Sequence, residues 1–264
     1  DFMIGSNPVD LKKVCYEIPK AELHLHLDGC IEPELAIQLS TKNNIGNLAS
    51  AGDLSHYWEF KDLGDFIEKL KVFMAVFKTE EDFEELMYQF LIRASKDGVL
   101  LAELHIGPQY FTNFNGVSLE AFYRGHWKGI LRAKKEVGIQ GEIILGIDRS
   151  QSEENAIQVL HDTQVVLEKL IKETKEGEEP IRIVGVGLAC QERGYPPEKF
   201  KNFYAQAKRL GYGLSAHVCE EKGIPMEYVD QAIDLLKVDR FDHGIQCFRD
   251  EKALARIKEN KIAL

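Results

Sequence analysis

The chain has 264 residues, 44% hydrophobic and 29% charged, a balance that supports one large core and excludes a disordered or fibrous protein. A formal charge of −10 argues against a nucleic-acid partner, because phosphate binding needs clustered Lys and Arg, and the basic pieces here, such as Lys12-Lys13 or Arg132, Lys134 and Lys135, read as solvated faces. No run approaches the roughly 18 apolar residues of a membrane span, the first residues carry no secretory pattern, and five widely spaced cysteines fit reduced thiols, so a cytoplasmic protein without a membrane partner is expected.

The first predicted strand, Glu22 to Leu27, runs through Glu22-Leu23-His24-Leu25-His26-Leu27-Asp28-Gly29. Period-two alternation puts His24 and His26 on one face and the three leucines on the other. One strand can thereby offer two neutral nitrogens to a single metal ion. Closely spaced aromatics follow in Tyr57-Trp58-Glu59-Phe60-Lys61-Asp62-Leu63-Gly64-Asp65-Phe66, then an amphipathic helix from Glu81 to Lys96. The second strand, Leu100 to Gly107, carries His105 near its end, where a structural hydrogen bond is the expected role. A helix from Leu119 to Val137, a strand from Gln140 to Asp148, a helix from Glu153 to Thr174 and a strand from Ile181 to Ala189 continue the alternation. After a helix from Pro197 to Leu210, the strand Leu214 to Val218 holds His217, with Glu220 just beyond it. A helix from Pro225 to Leu236 then leads to the strand Arg240 to Gly244 and its Asp242-His243-Gly244.

Strands that alternate with helices predict a parallel sheet with right-handed crossovers. A dinucleotide-binding sheet would carry Gly-x-Gly-x-x-Gly after its first strand. Asp28-Gly29-Cys30-Ile31-Glu32-Pro33 is no such turn, and Gly185-Val186-Gly187 lies inside a strand. His24, His26, Asp148, His217, Glu220 and His243 all fall late in or just after their strands, where a TIM-type barrel gathers its active site. The expected fold is therefore an α/β protein, a (β/α)8 TIM-type barrel. Lys261 to Leu264 looks like the start of a seventh strand, whereas closure takes eight. The expectation is one domain over residues 1–264 with the C-terminal part of the barrel missing, unstable or self-associating in isolation.

Pro19 to Gly29, His217-x-x-Glu220 and Asp242-His243-Gly244, in that order, closely resemble the adenosine and adenine deaminase family of metal-dependent hydrolases, from about Ile18 to Leu264. The resemblance implies His24, His26 and His217 as ligands of one Zn2+ per chain. It implies Glu220 as the proton donor to purine N1 and His243 as the histidine that orients and deprotonates the attacking water. His26, Asp28 and Cys190 are placed against the substrate, Asp28 at a sugar, and Phe60, Leu63 and Phe66 form the apolar wall of a helical gate. The family's fourth ligand, an aspartate ending the eighth strand, and the acidic residue that follows it have no counterpart before Leu264.

The activity implied is zinc-dependent hydrolytic deamination of a 6-aminopurine, adenosine to inosine and ammonia, a reaction of purine salvage. Free adenine or a modified aminopurine nucleoside or nucleotide is the alternative. Gly185-Val186-Gly187-Leu188, Gly194-Tyr195-Pro196-Pro197 and Leu235 to Arg240 look like the adenine branch, while Asp28 looks like the adenosine branch. Leu188-Ala189-Cys190 and Cys219 place side chains where the family commonly has glycine. An amide or ester hydrolase of the same superfamily would bring a bridging lysine at the end of a middle strand, and none is evident. A non-catalytic purine-binding module is a third possibility. Oligomeric state is left open.

Overall fold

The computed structural model describes residues 10–46, 48 and 59–264, together with the backbone of the two-residue strands Met3–Ile4 and Asn7–Pro8. Six strands, β1 (Lys20–His26), β2 (Val99–Ile106), β3 (Gln140–Asp148), β4 (Ile183–Ala189), β5 (Gly213–Val218) and β6 (Arg240–His243), form one sheet in chain order. Each pairs in parallel with the next. Gly141 to Ile147 of β3 are buried without interruption, as expected for a strand covered by helices outside and filled inside. The sheet curls far enough that His24 on β1 and His243 on β6, strands that do not pair, bring their rings to 4.6 Å. The fold is a TIM-type α/β barrel, nearly closed by six strands.

Beyond β6, the helix Glu251–Glu259 returns the chain to Ala263, which bridges Arg240 in parallel. The Phe241 N–H donates to the Ala263 carbonyl at 2.9 Å, and the Ala263 N–H to the Asp239 carbonyl at 3.1 Å. The predicted start of a seventh strand thus lies in register beside the sixth.

Local signals set the helices. Leu119–Val137 starts where the Ser118 hydroxyl accepts the Ala121 N–H at 3.1 Å and stops at Gly138, whose φ is 77°. Glu153–Glu173 starts at Ser152 in the same way. Gly129 lets Leu119–Val137 press against Glu80–Lys96, since a Cβ there would stand 2.6 Å from the Glu84 carbonyl.

Three predicted elements change at their ends. The first strand stops at His26, because Leu27 opens a tight turn, Leu27–Cys30, and is buried in the core. The leucine alternation is therefore confined to Leu23 and Leu25. The segment from Pro197 begins with a 3-10 turn before Lys201–Arg209, and the helix over Glu227–Gln231 widens into a π-helix at Ala232–Leu236. Pro33–Lys42 is a helix without a counterpart among the predicted elements, and the helix Leu63–Met74 takes in Leu63 and Phe66 of the expected helical gate while Phe60 lies before its start. Tyr57 and Trp58 lie outside the described residues. Among the described residues no helix is long and apolar enough to cross a membrane.

Candidate active site

A cavity of about 320 Å³ opens at the C-terminal ends of the strands. His26, His105 and His217 form its floor, Asp28, Cys190, Glu220 and His243 its polar wall, and Leu63, Phe66 and Leu70 of the helix Leu63–Met74 its apolar cover.

At the floor, the His217 Nε2 lies 2.8 Å from His26 Nε2 and 3.2 Å from His24 Nε2. Burial lowers the pKa of His24 and of His26 to about 4 and holds His217 well below the ordinary value. All three are neutral at neutral pH, and three Nε2 atoms then face one another. Without a cation, the two contacts compete for the single Nε2 lone pair of His217, which accepts one N–H well and not two. A tetrahedral zinc at about 2.0–2.1 Å from each nitrogen would separate its ligands by about 3.3 Å, close to the spacing found. The set fits a divalent ion with imidazole ligands.

A polar layer supports the trio from below. The Asp242 carboxylate accepts the Ser215 hydroxyl at 2.7 Å and Arg240 Nε at 2.9 Å, and Arg240 also pairs with Glu103 at 2.6 Å. Asp242 Oδ2 lies 3.7 Å from His217 Nδ1. A carboxylate behind the ring favours the Nδ1–H tautomer and leaves Nε2 free to ligate. His24, His105 and Asp242 also lie within ligating distance of one another, but the charge of Asp242 is already met by Arg240.

His105 departs from expectation. It is 1% exposed, yet neither ring nitrogen has a hydrogen-bond partner among the described residues. It packs instead, stacked on His26 with centroids 5.0 Å apart and with Nε2 3.5 Å from Asp242. Gly187 on β4 makes the room, because a Cβ there would come within 2.5 Å of the His105 ring.

On the wall, Glu220 and His243 face each other at 3.5 Å. Burial, reinforced by Glu221, raises the Glu220 pKa, and burial lowers that of His243. The pair is therefore biased towards a protonated acid beside a neutral base. Burial also raises Asp28 to about 6. Cys190, Cys219 and His243 have φ of 69°, 55° and 84°, so strained backbone clusters at the ends of β4, β5 and β6, as it does at functional sites.

All the wall and floor residues singled out in the sequence, His24 excepted, line this cavity, and His24 meets them through His217 and His243. Leu63 and Phe66 line it as well. Phe60 does not: it is 52% exposed and packs on the outer side of Phe66, 5.0 Å between centroids. Lys71, Gln109 and Tyr110 also line the cavity and were missed. Lys71 was legible, since Leu63, Ile67, Leu70 and Met74 mark the same helical stripe. Arg149 and Glu192, both fully buried behind the site, carried no local signal.

A parallel barrel with an imidazole trio at its C-terminal mouth is the framework of a metal-dependent hydrolase. Comparison with known proteins narrows the class. The pattern of the family described as Adenosine deaminase matches residues 19–264. The adenine deaminase of Geotalea uraniireducens is 36% identical over 256 residues, spanning 97% of this chain and 68% of the relative. That of Albidiferax ferrireducens is 36% identical over 255 residues, spanning 96% and 69%. Among solved structures, an adenine deaminase from Arthrobacter aurescens superposes with a TM-score of 0.81 at 33% identity, covering 92% of this chain and 70% of that one. The chain belongs to the adenosine deaminase family, and it is an aminohydrolase.

Proposed function

We propose that the chain catalyses the zinc-dependent hydrolytic deamination of a 6-aminopurine, with free adenine as the substrate. The observation that carries this reading is the convergence of His24, His26 and His217 Nε2 beside the facing Glu220 and His243. Adenine takes precedence over the nucleoside favoured by Asp28, because relatives 36% identical over nearly the whole chain are named adenine deaminases. A zinc-bound amidohydrolase from Burkhoderia ambifaria shares the fold, with a TM-score of 0.81 at 23% identity over 98% of this chain and 68% of that one.

His24, His26 and His217 would hold the ion through Nε2, a role for which burial keeps them unprotonated. Zinc supplies Lewis acidity there, the property that brings the pKa of water from about 15.7 to about 7. Glu220, kept protonated by burial, gives its proton to N1 and makes C6 electron-poor. His243, kept neutral, takes a proton from the attacking water and returns it to the departing nitrogen. Water adds to C6 first, the C6–O bond forming as the ring electrons move towards the protonated N1; the C6–N bond then breaks, ammonia leaves, and the C6 hydroxyl proton returns to Glu220 as the C6 carbonyl forms. Leu63 and Phe66 cover the ring's apolar faces, and Asp28 and Cys190 meet its polar edge.

The test is ammonia release from adenine, adenosine and their N6-methyl derivatives by the protein expressed from its natural reading frame, with zinc measured in the same sample. Adenine should be the fastest substrate, zinc should approach one per chain, and Glu220→Gln or His243→Ala should slow release by about 10²-fold or more. A folded, zinc-loaded sample that binds purines and releases no ammonia from any of them overturns the proposal in favour of a binding module.

A further inference from the structure

Behind the wall of the site, two buried charged side chains do work that the deamination reading leaves unassigned. Glu192 is 0% exposed and sits three residues past the end of β4. One of its carboxylate oxygens accepts the Cys219 N–H at 2.7 Å, the other the Glu220 N–H at 3.0 Å. These are the first two peptides after β5, and the first carries the left-handed φ of 55° that an L-residue adopts only at a cost. The same turn is gripped from the opposite side. The Gly244 N–H donates to the Val218 carbonyl and the Gln246 N–H to the Cys219 carbonyl, each at 2.9 Å.

Arg149, also 0% exposed, ties the neighbouring pieces together. Its Nη1 donates to the His217 carbonyl at 2.7 Å and its Nε to the Tyr195 carbonyl at 2.9 Å. It thus links the end of β5 to the loop that carries Glu192; burial pushes the Glu192 pKa up, and the Arg149 charge and the backbone N–H groups act against that push.

We propose that Glu192 is a positioning residue for Glu220: by taking both N–H groups of the strained turn after β5 it holds the proton donor at the angle the purine requires. The inference rests on Glu220 as the acid of the deamination. A carboxylate is the suitable group because two parallel N–H donors need two acceptor oxygens from one planar head. A glutamine of the same shape offers one oxygen and sets an NH2 against the second N–H.

The experiment compares Glu192→Gln with the parent in steady-state adenine deamination, with zinc content and thermal midpoint measured alongside. A misplacement on the order of 1 Å costs about 100-fold, so kcat should fall about 10- to 100-fold, with KM within about threefold and zinc content unchanged. Cys219→Gly supplies the second arm, since glycine takes positive φ freely: it should recover part of the lost kcat when combined with Glu192→Gln. Should Glu192→Gln fail to fold, Glu192→Asp, which keeps the charge and shortens the reach, carries the same expectation. An active parent with Glu192→Gln within twofold of it overturns the assignment. So does a loss confined to KM or to zinc content, or a Cys219→Gly effect that is simply additive. A zinc-loaded parent without activity overturns the deamination itself, and this role with it.

Discussion

Gly187→Ala puts the barrel wall and the imidazole trio in competition for the same space. The added Cβ would stand 2.5 Å from His105 Cε1, 2.7 Å from its Nδ1 and 3.0 Å from the Ser215 hydroxyl. Carbon contacts are comfortable near 3.5–4.0 Å, so the ring must retreat by about 1 Å. The ring is boxed in, stacked on His26 at 5.0 Å and 3.5 Å from Asp242, and retreat presses it on one or the other. Overpacking of this kind costs about 1–3 kcal/mol. The stiffer unfolded chain returns about 0.4–1 kcal/mol. A net loss of about 1–2 kcal/mol corresponds to a thermal midpoint lower by about 2–8 °C at this chain length. Because His26 is displaced with His105, zinc affinity should fall by about tenfold or more. Calorimetry gives the midpoint and chelator competition gives the affinity. Gly185→Ala is the control: its Cβ would meet the Gly213 carbonyl at 2.9 Å and no histidine, so it should lower the midpoint and spare the affinity. If Gly187→Ala matches the parent in both measurements, or if Gly185→Ala loses as much zinc affinity, the packing argument is wrong.

Glu220→Gln keeps the shape of the acid and removes its proton, so kcat for adenine should drop about 10²- to 10⁴-fold with zinc content intact; a loss under tenfold would assign the proton to another group. In the parent, kcat should fall on the alkaline side above the ordinary carboxylate range, because burial raises the Glu220 pKa and the donor is lost only when that raised value is passed. The metal-free protein should lose stability in mild acid. Burial brings His24 and His26 down to about 4 in the folded chain, against the ordinary histidine value of 6.5. The unfolded chain therefore takes up protons first, and the stability present above pH 6.5 drains as pH falls towards 4. Urea midpoints that stay flat between pH 7.5 and 5 would contradict this. Gly129→Ala should destabilise by about 1–3 kcal/mol despite the better helix propensity of alanine, because its Cβ would meet the Glu84 carbonyl at 2.6 Å and Met87 Cβ at 2.7 Å. An unchanged thermal midpoint would show that the two helices separate at no cost.

What was legible in the sequence was what short-range covalent geometry determines. Strand alternation alone put His24 and His26 on one face, and amphipathic periodicity marked the helix Leu119–Val137 at the bounds the structure gives. The strand–helix order was enough for a parallel sheet, and the late positions of the histidines and acids in their strands were what pointed to a barrel with His217 and His243 at its mouth. The stripe on Leu63–Met74 was equally local and was available to the same reading.

Only the tertiary structure decided which of these groups share an environment. His24 meets His217 across 193 residues of chain, and Arg240 meets Glu103 across 137. His105 lost its expected hydrogen bond because Gly187 and Asp242 shape its cage, and Phe60 was turned away from the cavity while Phe66 was turned in. Glu192 reads as an ordinary acid among Gln191 and Arg193, and nothing near it in sequence says that its oxygens close a strained turn 27 and 28 residues further on. Burial and charge at each position depend on how far the sheet curls and in what register, and that curvature is a property of all the strands together.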